Sequence, residues 1–258
     1  MGTTEAWVEL FINTSFRDGA DEDYILARVA YRLGLVQPFL WSSLQAVEKY
    51  LKAILLYNRQ STVRLWHDVM RARRNLSKIS DIPFAWPADV DKFIEYINDE
   101  GPNRYRGYPS FLRDDSLLGL DRTVWHLRRY CYNMRGLTPE LSAQRLADEL
   151  AALKQDPLEH RHRFRIKGGF LEGVLAGRSS LRTHLTWKNF WYGSKRRRRI
   201  ARFPMRSHWS RPIHFMRPEV YHALKALVQF ERPVREHFDG ATASRTRAQM
   251  KVNSRKHG

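Results

Sequence analysis

Three groups of residues in this chain carry the side-chain types that hold a polynucleotide. Trp187, Phe190, Trp191 and Tyr192 precede the run Lys195, Arg196, Arg197, Arg198 and Arg199, with Trp209 and Phe215 beyond. Aromatic rings stack on unpaired bases while cations hold phosphates, so interleaving the two is the chemistry of single-strand binding. A small hydrophobic cluster with a solvated flank would use the same residues. Upstream, Arg161, Arg163, Arg165 and Lys167 fall on every second position of 160–167. In an extended strand these four cations would share one face, opposite His162, Phe164 and Ile166. As a disordered linker they would bind diffusely. The third group, Arg104, Arg106 and Tyr108, lies in the Gly-, Pro- and Arg-rich loop 101–110. There a cation can reach a phosphate, or a guanidinium can stack on a ring.

The charge distribution supports this chemistry. Residues 1–158 hold 21 Lys and Arg against 21 Asp and Glu, whereas residues 159–258 hold 24 against six. The whole net charge of +18 therefore belongs to the last hundred residues. Between Glu172 and Glu219 there are twelve Lys and Arg and no acid. A single-sign field of this density repels itself unless a polyanion lies against it, and nucleic acid is the commonest such partner.

Other classes are disfavoured. One cysteine, Cys131, excludes an internal disulfide framework and a cysteine-rich zinc site. No Gly-rich phosphate loop, nucleophile elbow or His-rich metal helix occurs, so no metal or cofactor is expected. The start, MGTTEAWVELF, lacks a secretory pattern, and Ala6 breaks the myristoylation pattern. No apolar stretch reaches the roughly 18 residues that span a bilayer. The expectation is a soluble cytoplasmic protein that does not engage a membrane.

At 258 residues the chain has room for one ordinary domain and a large appendage. From 21 to 134 apolar residues recur at helical spacing. The clearest case is 38–57, with Leu44, Val47, Leu51, Ile54 and Leu55 on one face and Pro38 in the first turn. A helix over 22–35 turns Ile25, Val29 and Leu33 inward and ends near Gly34. Further helices are predicted over 63–79, 88–98 (Val90, Phe93, Ile94, Ile97), 117–134 and 142–154. Nothing from 21 to 134 alternates like a strand, so the fold class is all-α: an up-and-down helical bundle with a basic, partly ordered C-terminal extension. The expected division is a bundle over 1–156, a basic aromatic-rich region over 157–239 with a helix over 219–237, and a flexible basic tail over 240–258.

The order of features resembles the HEPN (higher eukaryotes and prokaryotes nucleotide-binding) domains over about 21–135. The resemblance lies in Ala27-Arg28-Val29-Ala30, then QAVEKYLKA from Gln45 to Ala53, His67-Asp68 opening the next helix, and Arg106-Gly107-Tyr108-Pro109 before the last. It implies a four- or five-helix bundle, often dimeric, that binds nucleotides or RNA. Some members accompany a nucleotidyltransferase, and many are metal-independent ribonucleases acting as toxins, paired with an antitoxin, or as defence effectors. Such nucleases carry an Arg and a His near the start of the last helix, and the counterparts here are Arg122 and His126. Only three residues separate them, a closer spacing than the family pattern. At i and i+4 they still share a helical face. His126 would take the 2′-hydroxyl proton while Arg122 holds the phosphate; alternatively His126 packs at the core edge and Arg122 is solvated. His67 with Arg106 is a second candidate catalytic pair, and Lys49 and Lys52 are candidate nucleotide contacts on the QAVEKYLKA helix.

The expected function is thus nucleic-acid binding, with RNA as ligand. The alternatives are a metal-independent ribonuclease, and a structural module that docks an acidic protein.

Overall fold

The computed structural model describes residues 3–102, 110–136, 142–154, 167–193, 206–208, 217–230 and 235–240. These residues are mostly helical, and the chain is an all-α bundle as the periodicity predicts. Helix α1 (Thr4–Ile12) runs without a break into a π-helical stretch (Asn13–Asp18) and then α2 (Gly19–Arg32). There follow α3 (Val36–Tyr57), α4 (Val69–Asn75) with a 3-10 turn (Leu76–Lys78), and α5 (Ala88–Glu100). Next come α6 (Ser116–Arg128), α7 (Ser142–Lys154), α8 (Phe170–Ala176), α9 (Ser180–Thr186) and α10 (Pro218–Leu224).

The chain divides into two compact units. One comprises Met1–Pro102 with Arg113–Arg206, and the other Asn103–Leu112 with Ser207–Gly258. In the first, α3 is the central element. Phe39, Leu40, Val47, Leu51, Ile54 and Leu55 are wholly enclosed by α2, α4, α5 and α6. A helix buried on most of its circumference reads as nearly continuous apolar sequence, which is why 38–57 gives the clearest signal. Gly34 ends α2 with a left-handed backbone (φ 73), and Leu35 N–H reaches back to Ala30 C=O at 2.9 Å. That bond satisfies an otherwise orphaned carbonyl. In the second unit, α10 stacks Tyr221 on Phe238 with ring centroids 4.7 Å apart. Three-residue strands β1 (Ser110–Leu112) and β2 (Arg206–His208) pair in a two-stranded sheet.

Several boundaries depart from expectation. The predicted helix over 63–79 begins only at Val69, because Asp68 caps it by accepting a hydrogen bond from Arg71 N–H at 2.7 Å. Residues 63–68 form turns instead. Leu33 is 67% exposed rather than inward, since it caps α2 where the chain turns away. Helix α6 stops at Arg128 and α10 at Leu224, each shorter than its apolar pattern.

The boundary expected at 156 does not separate the described residues that follow it from the bundle. Residues 167–193 belong to the first unit, because their backbone bonds to buried side chains of α2 and α6. Leu171 N–H donates to Asp21 Oδ2 at 3.0 Å, and Gly168 C=O accepts from Arg128 at 2.5 Å. His184 C=O accepts from Arg28 Nε at 3.0 Å.

Candidate functional site

Glu48, on α3, is a buried carboxylate with two side-chain partners, Lys52 and His67. Lys52, one turn later, donates to its Oε1 at 2.6 Å, and His67 Nδ1 lies 3.1 Å from the same oxygen. Lys52 Nζ also donates to Trp66 C=O at 2.6 Å. Glu48 side-chain exposure is 5% while that of His67 is 78%. The buried carboxylate thus orients an imidazole at the surface, and Nε2 is the ring nitrogen that remains for a ligand. Lys49 faces another way, pairing with Asp23 at 2.7 Å. Of the two lysines, Lys52 joins His67 and Lys49 does not.

Arg122 and His126 lie on α6 at the expected spacing, but Arg122 forms an ion pair with Asp89 of α5. Its guanidinium is also 5.7 Å from the Trp191 ring centroid. His126 is half-buried. Arg122 would have to leave its carboxylate partner before it could hold a phosphate.

The aromatic pair splits. Trp191 is 4% exposed and its ring centroid is 5.7 Å from that of Phe190, so its expected role as a stacking surface for bases is corrected. Burial within the bundle leaves no face for a nucleotide. Trp187 is half-buried, with Arg32 5.0 Å and Lys188 5.1 Å from its ring centroid. Lys167 pairs with Glu149 and lies 5.0 Å from the Tyr132 ring centroid. The remaining candidates (Arg104, Arg106, Tyr108, Arg161, Arg163, Arg165, Lys195, Arg196, Arg197, Arg198 and Arg199) lie outside the described residues.

The site that the sequence reading missed lies inside the bundle. Asp21 and Arg28 stand seven residues apart on α2, as do Asp121 and Arg128 on α6. The two helices run antiparallel, so Arg128 binds Asp21 at 2.8 Å while Arg28 binds Asp121. Tyr50 O–H donates to Asp21 and Tyr24 O–H to Asp121, both at 2.7 Å, and Asp21 also accepts the Leu171 N–H. Burial pushes both carboxyls above their usual range, and the facing guanidinium opposes that push. Burial, followed by the neighbouring carboxylates, holds the Tyr24 and Tyr50 hydroxyls well above their usual range, so both stay protonated donors. The available signal was the repeated spacing of Asp and Arg two helical turns apart.

A cleft of about 520 Å³ opens beside the π-helical stretch, lined among others by Asn13, Arg17, Tyr57, Arg145 and Lys167. Arg17 pairs with Asp18 at 2.9 Å and Lys167 with Glu149, while Glu9 lines the same wall. Three cations meet three acids, so the cleft offers polar contacts without a positive field. Among the described residues no cluster of His, Cys, Asp and Glu could hold a metal. No described helix is long and apolar enough to cross a membrane. No family model, curated protein or solved structure matches this chain.

Proposed function

We propose that this chain is a nucleic-acid-binding protein with RNA as its polyanion, built on a HEPN-like helical bundle. The observation that carries the reading is the stretch from Glu172 to Glu219, which holds twelve Lys and Arg and no acid. Support comes from the placement of its first cations. Arg178, Arg182 and Lys188 are exposed on and just after α8–α9, the segment bonded to the bundle. Cations on an ordered element lose less conformational entropy on binding than cations on a tail. The test is the purified full chain, assayed for co-purified polynucleotide by its absorbance ratio and by digestion with RNase and DNase. RNase-sensitive material is expected. Protein free of polynucleotide that also ignores oligonucleotides in dilute buffer would overturn the reading.

A second reading, metal-independent cleavage of the bound RNA, is favoured by one geometry. His67 is exposed and oriented by Glu48 through Nδ1, as a general base requires. Its check is RNA turnover in chelator by wild type, His67→Ala and His126→Ala. Loss of turnover with His67→Ala alone supports it, and equal turnover in all three excludes both imidazoles.

A further inference from the structure

Trp66 is one of three non-glycine residues, among those described, with a left-handed backbone; its φ is 47. It sits second in the turn closed by Asp68 N–H to Leu65 C=O at 2.9 Å. Glycine or asparagine is the ordinary occupant of that position, and a bulky side chain there is strained. Packing gives nothing in return, since the indole is 80% exposed.

The surroundings nevertheless pin the turn. Leu65 is buried beneath it, Lys52 holds Trp66 C=O, and Glu48 holds both Lys52 and His67. Asp68 then starts α4. A strained conformation persists only where its neighbours over-determine it, and such residues gather at functional sites. Here consecutive residues expose an indole and an imidazole to solvent.

The local charge names the ligand. Arg59, Arg64, Arg71 and Arg74 are all exposed around the turn, and Asp68 is the one acid between 58 and 75. Arg71 Nη1 donates to the Arg64 backbone C=O at 3.1 Å, which ties the Arg71 side chain to the turn. The stretch is positive although the charges of residues 1–158 cancel as a whole. A protein contact would surround an anchoring tryptophan with a desolvated apolar patch. Arginines beside an exposed ring suit a base and its phosphates.

We propose that the Trp66 turn is a stacking platform for an unpaired nucleobase, with His67 and the flanking arginines on the adjoining phosphates. The proposal rests on the nucleic-acid-binding reading above and adds to it a contact on the helical bundle itself.

The test uses the full chain and a short fluorescein-labelled single-stranded RNA, titrated by anisotropy at about 100 mM salt. Three variants are compared with wild type: Trp66→Gly, Trp66→Phe, and one in which Arg196, Arg197, Arg198 and Arg199 are all replaced by Gln. Trp66→Gly should weaken binding about tenfold, as expected for one lost stack. Its Tm should stay level or rise, because glycine suits the backbone the indole strains. Trp66→Phe should keep most of the affinity. Equal affinity in wild type and Trp66→Gly overturns the platform, while the binding reading stands if the Gln variant weakens. A Tm drop above about 4 °C in Trp66→Gly makes the indole structural and overturns it too. Unchanged RNA affinity with altered sedimentation would assign the indole to a protein contact, which also overturns it. No binding by wild type removes both the platform and the reading beneath it.

Discussion

Asp21 on α2 accepts a hydrogen bond from Arg128 on α6 at 2.8 Å, and seven residues along each helix Arg28 and Asp121 repeat the bond with the roles exchanged. The two pairs do more than join the helices. Arg128 also holds Gly168 C=O, Asp21 holds Leu171 N–H, and Arg28 holds the carbonyls of His184 and Trp187. Buried charges of the bundle thereby hold the backbone of the segment that carries the first exposed cations.

Removing one partner strands the other without water. Asp21→Asn or Asp121→Asn should cost about 3–5 kcal/mol, the usual cost of breaking a buried ion pair. Urea unfolding would show it as a lower midpoint at unchanged slope. Replacing both members of a pair, as in Asp21→Leu with Arg128→Met, should recover much of the loss. A single variant as stable as wild type would show that the pairs do not hold the bundle.

Gly169 is where the held segment approaches most closely. Its φ is 96, and a Cβ there would lie 2.6 Å from Arg128 Nη2 and 2.7 Å from Arg17 Nε. Gly169→Ala should therefore cost about 1–3 kcal/mol through strain and displacement of the guanidinium. The measurement is calorimetric Tm, with a drop of several degrees expected.

His184 should make this docking pH-dependent. Its Nδ1 lies 2.9 Å from Arg32 Nη1 and can accept only while unprotonated. Partial burial, then Arg32 and Arg28, lower its pKa from the ordinary 6.5. A lowered folded pKa means that the folded state binds fewer protons than the unfolded chain in that window. Stability is therefore fully present above 6.5 and is lost as pH falls from there through the depressed value. Amide protection factors at 170–187, corrected for the intrinsic pH dependence of exchange, should fall on acidification in wild type, and His184→Gln should flatten that response.

Cys131 offers a check on the core. Burial pushes its thiol up to about 12, and no solvent reaches it. A thiol reagent at neutral pH should fail to label the native chain and label it stoichiometrically in denaturant. Rapid native labelling would mean that α3 and α6 are not packed as described.

What could be read from sequence followed how strongly a residue's surroundings leave a periodic mark. Helix α3 was plain because Leu44, Val47, Leu51 and Ile54 all face the core. Helices α8 and α9 are not legible in the sequence because each has only seven residues, too few for a period, and lies within a stretch dominated by positive charge. Their docking combines a few buried side chains, Leu171, Val174 and Leu185, with backbone carbonyls and amides, and the backbone bonds leave no side-chain pattern. The Asp and Arg of the reciprocal pairs were in view, yet charged residues inside a helical repeat ordinarily mark a solvated face. Trp66 was overlooked because its information lies in a backbone angle, and a tryptophan before His-Asp reads as the start of a helix.

The central claim, that the basic stretch meets a polyanion, is tested most directly by the salt dependence of RNA binding. With six or more phosphate contacts, the log of the association constant against log salt should fall with a slope of about −4 or steeper between roughly 50 and 200 mM. A flat profile over that range, or no binding at its lower end, would contradict it.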